Sequence, residues 1–209
     1  IDQTAYDRNK EAADAENKIV LSCKNTDKIG IFTNRGQLHL LKVADIPYGR
    51  FRDKGQPVDN LTNYNSSEEN IIFVAPLEQM RGGRLLFATR MGMLKQVAGA
   101  EFNVAKKTPA ATKLAEEDEL LKVGFAKEGM HLVMQSEKGM FLRIEMQSVP
   151  EKKKGAIGVR GIRLGADDVL KDVYFLDGGE SITVKLAGKD LELNRLRVGN
   201  RDTKGVKHT

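Results

Sequence analysis

Apolar residues along this chain come in short runs, and the way they are bracketed recurs. "KIGIFTNRGQLHLLKV" at 28–43, "GRLLFATRMGMLKQVA" at 83–98 and "MHLVMQSEKGMFLRIE" at 130–145 share one plan. Each holds an apolar run, a Thr or Ser, two polar or flexible residues, a Gly, and a second apolar run. Thr33, Thr89 and Ser136 mark the same place, 56 and 47 residues apart. A fourth copy, "ESITVKLAGKDLELNRL" at 180–196, sets Leu186 there, with Gly188 one residue early, so its turn should be of another type. A period near fifty residues must be settled before any local reading, because it decides the architecture.

The unit predicts a β-hairpin. Ile29, Ile31, Leu85, Phe87, Leu132 and Met134 sit in alternating or continuous apolar runs that suit half-buried or buried strands. Gly36, Gly92 and Gly139 would close three-residue loops, where a type I turn is followed by a residue at positive φ. A helix would need apolar positions three and four apart, and the Thr-x-x-Gly breaks interrupt that spacing. Only Glu11–Glu16 reads as a short helix or arm.

Ahead of each hairpin stands another apolar run: 18–23, 71–75, 120–126 and 169–176. Behind each comes a loop with a short apolar piece: 46–61, 102–114, 149–164 and 196–208. About four strands per repeat is the content of one propeller blade. The expectation is therefore an all-β, propeller-like structure of four-stranded blades over residues 1–209, with repeats near 18–61, 71–114, 120–164 and 169–208 and a partial blade at 1–17.

Composition adds one decisive feature. The 209 residues carry 34 Lys and Arg against 29 Asp and Glu, a net +5, which is a mild bias with many explanations. Sorted by repeat position it becomes sharper. Residues 46–58 (Arg50, Arg52, Lys54, against Asp53) carry +2, and residues 102–111 (Lys106, Lys107) carry +2. Residues 149–164 (Lys152, Lys153, Lys154, Arg160, Arg163, against Glu151) and 195–208 (Arg195, Arg197, Arg201, Lys204, Lys207, against Asp202) carry +4 each. Four loops at one repeat position hold +12 and everything else holds −7. A charge run alone is usually solvated surface. Cationic loops at a regular angular interval form a curved track for a polyanion, with affinity that is salt-dependent and nearly blind to sequence. The loop glycines Gly49, Gly55, Gly155, Gly158, Gly199 and Gly205 would let backbone N–H groups approach phosphates. Apart from Tyr48 and Phe51 no aromatic residues accompany the basic ones, which favours duplex backbone over stacked single strands. The same loops could instead dock an acidic protein partner, a second reading of the same charge.

The stretches "IGIFTNRGQLHLLKVADIPYGRFRDKG" at 29–55, "KKKGAIGVRGIRL" at 152–164 and "LELNRLRVGNRDTKG" at 191–205 resemble the C-terminal β-pinwheel domain of bacterial type II topoisomerase A subunits, those of DNA gyrase and topoisomerase IV. The likeness runs from about Asp2 to Gly205. It implies a pinwheel of four-stranded blades that binds double-stranded DNA at its rim through Arg50, Arg52, Lys54, Lys106, Lys107, Lys152, Lys153, Lys154, Arg160, Arg163, Arg197, Arg201 and Lys204. By the same resemblance the domain bends or wraps that DNA and hands it to the cleavage-reunion core of the same polypeptide, which works with an ATPase B subunit. Relatives carry about five or six blades, so four hairpins would leave an open or incomplete ring. The start at Ile1 without Met, and "IDQTAYDRN" at 1–9 looking like the tail of another hairpin, fit a piece of a longer chain. The gyrase box, Gln-Arg-Arg-Gly-Gly-Lys-Gly, does not occur. Residues 50–55 come nearest, and Arg81-Gly82-Gly83-Arg84 falls between an outer run and a hairpin. Both gyrase-like and topoisomerase IV-like roles stay open, the missing box favouring the second.

Catalysis is not expected within these residues. Strand passage needs a nucleophilic tyrosine, Mg²⁺-holding carboxylates and an ATPase. Tyr6, Tyr48, Tyr64 and Tyr174 match no catalytic motif, so by resemblance ATP and Mg²⁺ belong to other parts of the enzyme, an isomerase. His39 and His131 lie in strand patterns and His208 stands apart. Cys23 reads as a buried thiol in an apolar strand. Asp167-Asp168 and Glu116-Glu117-Asp118 read as solvated turns, and Met91, Met93, Met130, Met134 and Met140 as core filling. Hairpin turns bearing Asn34, Arg35, Arg90 and Lys138 argue against a central active site. One cysteine and no apolar run near the ~20 residues of a membrane span point to the cytoplasm and away from membranes.

Overall fold

A computed structural model describes all residues, 1–209. Thirteen strands form four antiparallel sheets. The repeated unit folds as its pattern dictates: β1 (Lys28–Thr33) pairs with β2 (Leu38–Lys42), β4 (Arg84–Thr89) with β5 (Met93–Ala98), β7 (His131–Ser136) with β8 (Met140–Glu145), and β11 (Thr183–Leu186) with β12 (Lys189–Glu192). The turn glycines Gly36, Gly92 and Gly139 have φ of 72°, 83° and 80°. The N–H of each donates to the carbonyl of Thr33, Thr89 or Ser136. The hydroxyls of Thr89 and Ser136 also accept from the amides of Met93 and Met140. In the fourth hairpin Ala187 and Gly188 both lie at positive φ, 44° and 84°, the signature of a two-residue type I′ turn.

The remaining strands do not pair where the order of the chain suggests. β3 (Ile71–Pro76), just ahead of the second hairpin, pairs backwards with β1 of the first. In the same way β6 (Leu120–Ala126) pairs with β4, and β10 (Leu170–Leu176) with β7. The fourth strands reach back further. β9 (Val159–Arg160), beyond the third hairpin, pairs with β5 of the second, and β13 (Val206–Lys207) pairs with β8 of the third. At the first hairpin the amides of Leu38 and Leu40 donate to the carbonyls of Pro109 and Lys107. The units near 71–114 and 120–164 are therefore corrected in phase, since each blade interleaves segments from two or three successive repeats. Local pattern identifies a strand but not the hairpin it completes.

Blades stack face to face, which explains the apolar runs. Along β4, Leu85 and Phe87 face the first blade, joining Phe32, Leu38 and Met80 in one core. The intervening Leu86 and Ala88 face the third blade, joining Leu132, Met134 and Ile144. A sheet covered on both sides needs an unbroken apolar strand rather than alternation, and each large side chain so buried stabilises by roughly 1.5–3 kcal/mol. Smaller packing against Leu193 ties the last hairpin to the third blade. The edges carrying β3, β6 and β10 touch one another, with Phe73 edge-on to Phe125 at 5.6 Å between ring centroids. That side is the hub of an open arc, and the opposite edges are its rim.

Several expectations are corrected. Residues 1–9 are no hairpin tail: α1 (Gln3–Arg8), capped by Asp2 on the Ala5 amide, runs into α2 (Lys10–Glu16). Short helices also form at α3 (Val58–Leu61) and α4 (Leu77–Arg81), so 11–16 is not the only helix. The run 18–23 is not a strand, and Cys23 is half-exposed. Met91 stands exposed at a hairpin tip, whereas Met134 is fully buried. Asp118 and Asp168 are buried rather than solvated. Each accepts from a hairpin-turn amide, Met91 N at 3.0 Å and Lys138 N at 3.1 Å, beside Glu117 and Asp167 at positive φ. Glu69 holds the matching place in the first blade and bonds His39 Nε2 at 2.8 Å instead.

Candidate nucleic-acid interface

Three of the four basic loops lie on the rim because each supplies, or runs beside, the outer edge of the preceding blade, whereas loop 46–58 pairs with no strand edge. Residues 107–110 follow β2, 159–160 follow β5, and 206–207 follow β8. The attachment repeats closely: the turn-glycine carbonyls of Gly36, Gly92 and Gly139 accept from Ala111, Gly161 and His208 amides. Gly158 (φ 106°) and Gly205 (φ 73°) press against the carbonyls of Leu94 and Phe141, where any Cβ would collide. Their role is close packing of loop on strand, which corrects the expectation that they bring N–H groups to phosphates. Gly199 likewise spends its N–H on the Arg143 carbonyl. Gly55 and Gly155 remain open to solvent.

Successive rim loops are sewn to one another. The Lys113 amide donates to the Lys154 carbonyl, and the Arg163 amide to that of Thr203. Arg201 donates from Nη1 to the Arg160 carbonyl at 2.8 Å and from Nε to the Ser148 carbonyl at 3.2 Å. One repeat inward, Gln96 Nε2 reaches the carbonyls of Met146 and Val149, and Arg143 Nη1 those of Asn194 and Leu196. A polar side chain on the second hairpin strand thus staples its blade to the next. Arg143 also donates from Nε to His131 Nδ1 at 3.0 Å, so each strand histidine has one ring nitrogen hydrogen-bonded.

The charged side chains divide into three sets. Arg50, Arg52, Lys54, Lys106, Lys107, Lys152, Lys153, Arg197 and Lys204 are exposed. Arg160 and Arg163 are exposed but share one partner, Asp202 Oδ1, at 3.4 and 3.6 Å. Lys154 and Arg201 are half-buried and serve the loops themselves. Loops 102–113, 149–163 and 195–208 are joined in series by their hydrogen bonds. Loop 46–58 borders the first hairpin, with Tyr48 donating to Asp2.

One cation escapes a reading of charge runs. Lys95, on β5, is 1% exposed, under the loop that bears Lys152–Lys154. Its Nζ donates to the carbonyls of Lys153 (3.3 Å), Lys154 (2.8 Å) and Ala156 (2.6 Å) and lies 5.6 Å from the Phe87 ring centroid. Burial pushes its ammonium down from 10.5 to about 8, with Glu101 opposing. A lysine in the middle of an apolar strand was the available signal, but its partners lie some sixty residues away.

A hub of packed strands, a rim of stitched cationic loops and strands exchanged between blades define a pinwheel-type β-propeller with a cationic edge. The family model for the DNA gyrase C-terminal domain, beta-propeller, matches the chain twice in tandem, over residues 83–126 and 131–177. Each match begins at a hairpin and ends with the strand that pairs back onto it. The chain is 30% identical over 184 residues to the DNA gyrase A protein of Deinococcus deserti, covering 86% of this chain and 23% of that protein. It therefore spans about a quarter of that relative's length. In fold it resembles the C-terminal domain of DNA topoisomerase IV (TM-score 0.86, 22% identity, 98% of this chain and 67% of that one). The DNA gyrase A C-terminal domain is also similar (TM-score 0.66, 19% identity, 88% and 60%). No helix of the chain is long and apolar enough to cross a membrane.

Proposed function

We propose that this domain binds duplex DNA along its rim, bends it, and presents it to the cleavage-reunion core of a bacterial cytoplasmic type II topoisomerase. The observation that carries the reading is the rim itself: three basic loops, each bound to the outer edge of a blade and tied in series to one another. ATP and Mg²⁺ would act in the core and in the ATPase B subunit.

Fluorescence anisotropy of a labelled duplex under rising salt tests the reading. Affinity should fall steeply, and replacing Lys152, Lys153 and Lys154 by Ala should flatten the log–log salt slope by about 2–3. No duplex affinity at low salt would sink it. Ligating nicked circles in the presence of the domain should leave linking number unchanged, while a shift would assign gyrase-like wrapping.

A further inference from the structure

The turn Lys152–Ala156 is held from beneath by two charged groups of the second blade. The Lys95 ammonium offers three donors and meets three carbonyls, those of Lys153, Lys154 and Ala156. Glu101, in the turn after β5, accepts from the Lys154 amide at 2.9 Å through Oε2 and pairs with Lys153 Nζ at 3.4 Å through Oε1. The Glu101 carbonyl accepts from Lys154 Nζ at 3.3 Å.

This arrangement is peculiar to one repeat. Three residues after the hairpin glycine the second blade has Lys95, while the first has His39 and the third Leu142. Burying an ammonium is expensive unless its donors are all satisfied, and here they are spent on a surface loop rather than on the core.

The orientation has a consequence for the outer side of the turn. All peptides are trans, so a carbonyl aimed at Lys95 turns the N–H of the same peptide unit away from it. For the carbonyls of Lys154 and Ala156 those N–H groups belong to Gly155 and Ile157. Neither donates to any group of the chain, and Gly155 has open space beside it. Two N–H groups without an acceptor in the chain, set between lysine side chains, are donors that an anion could use.

We infer that Lys95 is a positioning residue: from inside the blade it sets the Lys152–Ile157 turn in the conformation that receives one DNA phosphate on the Gly155 and Ile157 amides. This rests on the rim-binding reading. Lys95 itself touches no DNA, because the turn covers it. Glu101 completes the hold, and Lys152 and Lys153 supply charge at the lip, Lys153 with its side chain 88% exposed.

The test uses the whole domain and a labelled duplex in low salt. Lys95→Met should weaken binding about tenfold, and Lys95→Arg, which keeps the cation, should restore most of it. Amides of residues 153–157 should exchange faster in Lys95→Met than in the wild type. In a Lys152/Lys153/Lys154→Ala background, Lys95→Met should add little further loss, since both changes disable the same turn. Full additivity there, or unchanged binding by Lys95→Met, would overturn the inference. If Lys95→Met does not fold, Lys95→Gln, which keeps a polar head but has two donors and no charge, gives the decision: faster exchange at the turn with weaker binding supports the hold, and unchanged binding refutes it. Failure of the wild-type domain to bind any duplex would instead remove the rim reading itself.

Discussion

Arg160 reaches from one rim loop to the next to meet Asp202, its Nη1 3.4 Å from Oδ1, and Arg163 meets the same oxygen at 3.6 Å. One carboxylate thus occupies two cations at the most basic part of the rim. Replacing it should free both for phosphate and remove a repulsive charge. Asp202→Asn, which also tolerates the local φ of 62°, should tighten duplex binding about 3- to 10-fold at low salt. Anisotropy would show it, and weaker binding would mean that Asp202 orders the arginines rather than sequestering them.

Arg143 should be the costliest single staple to lose. Its guanidinium satisfies the carbonyls of Asn194 and Leu196, to which the last hairpin is tethered. Arg143→Met leaves those acceptors unpaired, so a loss of about 2–3 kcal/mol is expected. Urea unfolding would measure it, and faster amide exchange confined to 183–196 would localise it.

Gly158 combines a φ of 106° with a Cβ position 2.6 Å from the Leu94 carbonyl oxygen. Gly158→Ala must move the loop off β5, at an expected cost of about 1–3 kcal/mol. Gly155→Ala meets open space and should leave the melting temperature near that of wild type. Comparing the two melting curves separates packing from mere composition.

Lys95 predicts a pH dependence of definite sign. Its ammonium sits at about 8 in the folded chain and near 10.5 when released. Between those values the unfolded chain binds the extra proton, so stability rises with pH there and is flat below about 8. Lys95→Arg stays charged throughout. The wild type should therefore gain stability relative to Lys95→Arg as pH climbs from 8 to 10, read from urea midpoints. A constant difference would show that burial does not depress this lysine.

Much of the fold was legible in the sequence for local reasons. Thr33 with Gly36, or Thr89 with Gly92, encode a turn within four residues, and the flanking apolar runs encode strands. The loop charges could likewise be counted once the period was known. What escaped is non-local. Nothing near Ile71 says that β3 pairs with β1 rather than with the hairpin it precedes. Asp118 looks like one acid among several until its buried bond to Met91 is seen, and Lys95 looks like a surface residue until its three carbonyls appear. At Gly158 and Gly205 the glycine was evident, but the carbonyl that demands it lies far off in the chain. Residues 3–8 misled because a short amphiphilic segment can copy a loop until its Asp2 cap is recognised.

The backward pairing of β9 and β13 bears on how the arc carries force. Bent DNA pushes back on whatever holds it. A load applied at loop 149–163 enters the edge of the second blade through β9, while the covalent chain leads from the same loop into the third blade. Two blades therefore share each pull, as interlaced fibres do in a woven strap. The curvature of the arc thus depends on edges shared between blades, and DNA bent on the rim, as proposed, would strain against those same edges.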